Sequence, residues 1–187
     1  MALITIVNFG SSKTPLIAEM VSACGAENEI VKWKDCVEKD FEKSAGIIFS
    51  GSPTMFSEAD HEPYIEKFSF IKSGQLPTLG ICFGHQLMGI LFGAKIFRGI
   101  EVRTRIKIQV VKEDVLFEGL APQTEMNEDH TEGITLPPGF IHLATSSTYT
   151  IEGMRHPEHP LWGVQFHPEV SGETGRKLVG NFLRRAI

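Results

Sequence analysis

Residues Leu79-Gly80-Ile81-Cys82-Phe83-Gly84-His85-Gln86 stand between two different patterns. Before them, Leu76-Pro77-Thr78-Leu79 is an apolar run of the kind that forms a short buried strand. After them, Gln86-Leu87-Met88-Gly89-Ile90-Leu91-Phe92 has helical character. Gly80-x-Cys82-x-Gly84 at the junction is the pattern of a nucleophile elbow, with Cys in place of Ser. A chain that turns sharply from strand to helix holds its nucleophile at a strained backbone position, where flanking side chains would clash and Gly does not. The helix then points its N-terminus at Cys82, which favours the thiolate over the thiol. A buried structural Cys beside a helix-start glycine explains this motif equally well, since free Cys is often a core residue.

A second stretch bears on that choice. Near the C-terminus the chain reads Gly163-Val164-Gln165-Phe166-His167-Pro168-Glu169-Val170. Leu161 to Phe166 has the pattern of a strand, and Pro168 pushes His167 into an extended conformation. In an extended chain residues i and i+2 face the same side, about 6.5 to 7 Å apart. Glu169 is then able to reach one ring nitrogen of His167 and leave the other free, which is the base-and-orienter half of a triad.

Composition sets the frame. The chain has 187 residues, enough for one domain with a substantial core. Its apolar fraction of 42% and charged fraction of 22% are ordinary for a globular protein. A net charge of −5 argues against a nucleic-acid or anionic-membrane binder. The apolar runs are too short to span a bilayer. Met1-Ala2-Leu3-Ile4-Thr5 has no basic segment and reads as a strand, not a signal peptide. Three cysteines, at 24, 36 and 82, form no disulfide or metal spacing, so a reducing cytoplasm is the expected location. Cys24 and Cys36 read as small core or half-buried residues.

The first half alternates strands with helices. Leu3–Asn8, Glu29–Trp33 and Gly46–Phe49 read as strands, the last apolar on both faces as a central parallel strand should be. Pro15–Val21 reads as a helix with Thr14 as a possible cap, stopping near Gly25. Asp60 to Lys72 carries Tyr64, Ile65, Phe68 and Ile71 at helical spacing, a face that packs on a sheet. This order gives right-handed β-α-β units. In the second half Lys95–Phe97, Arg105–Val110, Gly139–Ala144 and Ser147–Met154 alternate like antiparallel strands, and Thr174 to Arg185 is a last amphipathic helix. No linker or repeat divides the chain. The expected fold is a single α/β domain over residues 1–187: a doubly wound, mostly parallel sheet with helices on both faces, plus a smaller antiparallel sheet.

The Cys82 elbow and the His167-Pro168-Glu169 block together resemble the class I, triad-type glutamine amidotransferases. Gly46-Ile47-Ile48-Phe49-Ser50-Gly51-Ser52-Pro53 agrees, being similar to the family's strand followed by a Gly-Gly-Pro turn. The resemblance spans essentially the whole chain and implies a flavodoxin-like fold and glutamine as substrate. It implies that Cys82 attacks the side-chain carboxamide and that the N–H of Phe83, after the nucleophile, is one oxyanion donor. The Gly51-Ser52-Pro53 turn supplies the other, from the Ser52 N–H. His167 is the proton donor and base, Glu169 its orienter, and Gln86 lines the glutamine pocket. Ser52 departs from the family's second glycine. If that position needs positive φ, Ser costs about 1 kcal/mol or more.

The other histidines carry weaker signals. His156-Pro157-Glu158-His159-Pro160 reads as a hairpin turn, not a metal loop, and no metal is expected. His61 and His142 read as surface or half-buried residues. Met126-Asn127-Glu128-Asp129-His130-Thr131-Glu132 stands where the family's GMP-synthase-type members carry a Ser-His-x-Asp-Glu-Val-like motif beside the pocket. The match is loose: Asp129 or His130 falls at its His, depending on a one-residue shift.

No phosphate-binding loop of the Gly-x-x-x-x-Gly-Lys type occurs, and no length is left for a synthetase domain. The expectation is therefore that ammonia passes to a separate protein. Val170 after Glu169, together with Pro137-Pro138-Gly139-Phe140 and Ile151-Glu152-Gly153-Met154, resembles the stand-alone amidotransferase subunits of two-subunit GMP synthases. That resemblance implies a heterodimer with an ATP-pyrophosphatase subunit that uses ATP and Mg to aminate XMP, and no cofactor in this chain. The alternatives are the glutaminase component of an anthranilate or aminodeoxychorismate synthase, a cysteine hydrolase of another γ-glutamyl compound, and a non-catalytic regulatory domain.

Overall fold

A computed structural model of the chain describes residues 2–187; Met1 lies outside it. The chain opens with β1 (Leu3–Asn8), α1 (Thr14–Ala23), β2 (Glu27–Lys32) and β3 (Gly46–Phe49). Then come α2 (Glu62–Phe68), β4 (Thr78–Ile81) and α3 (Phe83–Leu91). The second half runs β5 (Ile96–Val102), β6 (Arg105–Val110), β7 (Gln123–Asn127), β8 (His130–Ile134), β9 (Ile141–Thr145), β10 (Gly153–Arg155), β11 (Leu161–Val164) and α4 (Glu173–Ala186).

Nine strands form one sheet in the order β2-β1-β3-β4-β11-β10-β9-β6-β7. The first five are parallel and the remaining four pairings antiparallel. Helices cover both faces, and the period of two in the strands decides which. Ile48 packs in one core with Ile17 and Val21 of α1 and Leu178 and Phe182 of α4. Its neighbours Ile47 and Phe49 face the opposite core, with Tyr64 and Phe68 of α2 and Leu87 of α3. β3, β4 and β11 are buried along their whole length, as strands covered on both sides must be.

The antiparallel strands mostly extend the main sheet; the separate smaller sheet consists of β5 and β8 alone. The join is the turn at His156–Pro160, which folds β10 back onto β11 and so makes it that strand's antiparallel neighbour. Ser147–Ile151 is not strand. Ser146 Oγ accepts from the N–H groups of Thr148 and Tyr149, a side-chain turn that buries Tyr149 and Ile151 outside any ladder. β7 and β8 are polar strands, which hid them from a hydrophobic reading; only Thr124 and Met126 of β7 are buried. α1 is preceded by Lys13, and Thr14 is no cap: its hydroxyl donates to Asn8 Oδ1 and Ser11 O. α2 ends at Phe68 and continues as a 3₁₀ turn that still buries Ile71. No helix among the described residues is long and apolar enough to cross a membrane.

Candidate active site

The loops that follow β1, β3, β4 and β11 meet at the carboxyl ends of the parallel strands, where open α/β sheets carry their ligand crevices. A cavity of about 570 Å³ lies there, lined among others by Ser52, Cys82, Phe83, Gln86, Asp129 and His167.

Cys82 has φ 51° and ψ −104°, and among the described residues it is the only non-glycine with positive φ. The two flanking glycines make this bend fit. A Cβ on Gly80 would lie 2.5 Å from Gly84 O, and one on Gly84 would lie 2.5 Å from both Phe49 Cβ and Phe49 O. The elbow is pinned on both sides: Cys82 N–H donates to Val164 O at 2.9 Å and Gly84 N–H to Ser50 O at 3.2 Å. α3 starts directly at Phe83, so its N-terminus faces the sulfur.

His167 arrives from β11 through Gln165 and Phe166. Its N–H donates to Asn127 O at 2.8 Å, and its carbonyl accepts from Ser171 Oγ at 2.7 Å. Glu169 Oε1 lies 2.7 Å from His167 Nδ1. An extended chain does not make this contact, because residues 168–170 form a 3₁₀ turn begun by Pro168, which curls the carboxylate back under the ring. Burial works against a charge on His167. The Cys82 sulfur, by charge and hydrogen bond, and Glu169 outweigh it and hold the imidazole well above its ordinary value of 6.5. All three candidate triad residues are buried, with Cys82 at 6% exposure.

Ser52 removes the concern raised by its missing glycine. Its φ is not positive, so Ser fits without strain. Its hydroxyl donates to Phe9 O at 2.8 Å and accepts from Thr54 N–H at 3.1 Å, which holds the turn. Gly51 leaves the His167 ring room, since a Cβ there would stand 3.1 Å from His167 Cε1, a tight contact that the ring would have to shift to relieve. Among the described residues no protein group takes the N–H of Ser52 or of Phe83. Phe83 is held by its ring, stacked on Phe56 at 4.2 Å, and Glu132 anchors that loop by accepting from the N–H groups of Phe56 and Ser57.

Gln86 is buried, and its amide donates to Glu132 O and to Gln165 Oε1, each at 3.1 Å. Asp129 opens on the cavity beside Lys13, 2.5 Å away, and Arg103, 3.6 Å away. Partial burial opposes its charge, but these cations hold the carboxyl below its usual range. The His130 ring turns inward: Nδ1 contacts Glu132 O at 2.9 Å and Nε2 lies 2.6 Å from Glu128 Oε2. Of the two residues at the loosely matched motif, Asp129 therefore presents its charge to the cavity.

Three residues of the site were not anticipated. Gln165 donates to Cys82 Sγ at 3.6 Å. It stands two residues before His167, and the period of two along a strand was the available signal. Lys13 and Arg103 border the cavity, and nothing in their local sequence marks them.

The family described as Glutamine amidotransferase class-I matches this chain over residues 5–186. The chain is 37% identical over 186 residues to a Methanococcoides burtonii protein named as a subunit of glutamine-hydrolyzing GMP synthase, covering 97% of this chain and 95% of that one. A Pyrococcus abyssi protein of the same name is 40% identical over 143 residues, 75% of this chain and 74% of the relative. Among solved structures, a candidate GMP synthase subunit from Thermoplasma acidophilum superposes with a TM-score of 0.90 at 27% identity, covering 100% of this chain and 94% of the other. A glutamine amidotransferase from Thermotoga maritima, at 17% identity and TM-score 0.86 over 99% and 97% of the two chains, shares the fold. With a positive-φ cysteine at the elbow, a carboxylate-bound histidine across the same cavity and a match that runs from the first strand to the last helix, the chain belongs to the class-I glutamine amidotransferases.

Proposed function

We propose that this protein hydrolyses glutamine to glutamate and ammonia and passes the ammonia to a separate ATP-pyrophosphatase subunit that converts XMP to GMP. The observation that carries the hydrolysis is the buried His167–Glu169 pair set in one cavity with Cys82 at the N-terminus of α3. The relatives' names support the acceptor, because they are those of GMP synthase subunits.

In this reading the Cys82 thiolate attacks the carboxamide carbon, and the oxyanion rests on the free N–H groups of Phe83 and Ser52. The His167 imidazolium gives its proton to the departing ammonia, leaving a glutamyl thioester. Neutral His167 then takes a proton from water as it attacks the thioester, glutamate leaves, and the thiolate and imidazolium are restored. Glu169 keeps the ring in one tautomer and stabilises its charge. Asp129, paired at the cavity wall with Lys13 and Arg103, is the carboxylate of that charged cluster placed to meet the α-ammonium of the substrate.

Free ammonia is mostly protonated near neutral pH and is lost as a nucleophile, so a separate glutaminase has reason to wait for its acceptor. The Ser52 turn and the Asp129 loop are the elements a docked partner is placed to bias. Glutamate release is measured for the protein alone and with the synthetase subunit, ATP and XMP. The expected result is GMP formed with glutamine as nitrogen donor, and a rise in kcat/KM of at least about tenfold, about 1.4 kcal/mol. Glutamate release that never yields GMP assigns the chain another acceptor; absence of release under both conditions sinks the hydrolysis itself.

A further inference from the structure

At the cavity wall, which His130 helps to line, a second constellation reaches inward that the proposed chemistry does not use. Glu128 sits in the turn between β7 and β8, His130 opens β8, and Glu152 immediately precedes β10. One ligand atom from each lies within 4.8 Å of the other two, and all three residues are buried. Glu152 is wholly buried, and the Glu128 and His130 side chains are 0% and 4% exposed.

The hydrogen bonds around the cluster leave its centre unsatisfied. His130 Nδ1 lies 2.9 Å from Glu132 O, and a carbonyl only accepts, so Nδ1 carries a proton. That leaves Nε2 directed at Glu128 Oε2, 2.6 Å away. Neither Glu128 oxygen, nor Glu152 Oε2, nor His130 Nε2 has a well-formed hydrogen bond. Glu152 Oε1 is held from the far side by Ser146 Oγ at 2.7 Å, which aims the other oxygen inward. The nearby Tyr149 hydroxyl is committed to Ile100 O at 2.7 Å, while its ring covers the imidazole at 4.6 Å. Two ionised carboxylates beside a neutral imidazole in a dry site place two negative charges with no cation to balance them, an arrangement that several kcal/mol of desolvation per ion disfavours. Without an ion, burial pushes both carboxyls toward their protonated forms.

We propose that Glu128, His130 and Glu152 bind one divalent transition-metal ion of the zinc class. The donor set is one imidazole nitrogen and two carboxylate oxygens, which suits zinc, and a dication neutralises the pair. The Nδ1–H···O=C bond to Glu132 is the second contact that fixes the tautomer of a metal-bound histidine. Zinc–ligand bonds of about 2.0–2.2 Å require ligand atoms wider apart than the present Glu128–His130 contact, and side-chain rotation supplies the difference. Such an ion clamps the β7–β8 turn to the start of β10. Asn127, next to Glu128, accepts the backbone N–H of His167, so the clamp braces the loop against which the candidate base is hung.

The experiment uses untagged full-length Cys82→Ala protein, which removes the thiol of the candidate active site; the absorption spectrum reports on Cys24 and Cys36. After treatment with a chelator it is titrated with zinc chloride by calorimetry and by thermal melting. One equivalent is expected to bind and to raise Tm, with an X-ray absorption spectrum of nitrogen and oxygen neighbours only. Glu152→Gln and Glu128→Gln are each expected to weaken binding by more than about a hundredfold, beyond the loss typical of outer contacts. His156→Ala, at the half-buried His156–His159 pair whose rings stack at 4.4 Å, is expected to leave zinc binding unchanged. No saturable binding in the stripped protein overturns the proposal and leaves the three groups sharing protons. Binding that survives both glutamine variants also overturns it, by placing the ion elsewhere. If one variant fails to fold, the stoichiometry and the absorption spectrum of the Cys82→Ala protein still decide.

Discussion

Gln165 donates its side-chain amide to Cys82 Sγ at 3.6 Å, while its own Oε1 accepts from Gln86 Nε2 at 3.1 Å. The residue is fully buried, so it acts on the sulfur and not on bulk solvent. A hydrogen bond to a charged group contributes about 1.5–3 kcal/mol. Gln165→Leu is therefore expected to lower kcat roughly ten- to hundredfold with a small change in KM, in glutaminase assays with the synthetase subunit present. An unchanged kcat makes the contact a packing accident.

His167 is held well above an ordinary imidazole because the sulfur and Glu169 outweigh its burial. Removing the sulfur removes two of the causes. NMR titration of the His167 ring should give a midpoint above 6.5 in the native protein and a lower one in Cys82→Ala. The sign for stability follows: a raised histidine contributes stability fully present below about 6.5, lost as pH rises through the folded-state value. A midpoint indifferent to Cys82 means that the two groups do not form an ion pair.

Glu169→Gln keeps an oxygen for His167 Nδ1 and deletes the charge. By comparison with triad carboxylates elsewhere, kcat should fall roughly 10²- to 10⁴-fold, less than for His167→Ala. Nearly full activity in Glu169→Gln would reduce the carboxylate to a structural role.

The elbow and the His167 block were legible because each is short and local. Gly80 and Gly84 are glycines for reasons of contact, and the sequence displays them directly. The triad contact was legible in its residues and misread in its geometry: the 3₁₀ turn after Pro168 brings Glu169 to the ring, not the extended chain. What stayed hidden depends on pairing across long separations. β7 has only two buried residues, so no hydrophobic period marks it. Lys13 and Asp129 meet 116 residues apart, and Glu128, His130 and Glu152 converge only after β8 and β10 are in place. The concern over Ser52 came from treating a family glycine as a demand for positive φ, which this turn does not make.

Gly84 separates contact from conformation, since its φ is not positive. A Cβ would stand 2.5 Å from Phe49 Cβ and Phe49 O, on a strand buried on both faces. Gly84→Ala should cost about 1–3 kcal/mol, typical of overpacking, and shift Cys82 off its elbow. A urea melt and a glutaminase assay should both decline. Gly139→Ala, where a Cβ meets nothing within 4 Å, should lose its stability to backbone strain at φ 81° and leave activity intact. A stable, fully active Gly84→Ala refutes the packing account of the elbow.

His85 gives the last test, on the buried side of the same helix. It is fully buried against Gly163, and neither ring nitrogen has a well-formed hydrogen bond. Burial is the main cause that lowers its pKa from 6.5 to about 3, helped by the nearby His130 and only partly opposed by the backbone of Gly163 and Ile151. Below about pH 6.5 the unfolded chain takes up a proton here that the folded chain refuses. Stability therefore falls as pH falls, by at most about 1.4 kcal/mol per pH unit, until the folded value near 3 is reached. Other carboxylates and histidines titrate in the same range, so the useful quantity is a difference. His85→Phe keeps an apolar ring and loses the proton. Urea denaturation of both proteins between about pH 6.5 and 5 should show the native chain losing stability faster than the variant, with a gap that grows as pH drops. Parallel curves would mean that His85 is protonated in the folded state, so that a cation stands behind the first turn of α3, and the electrostatics of the elbow would have to be reassigned to that charge.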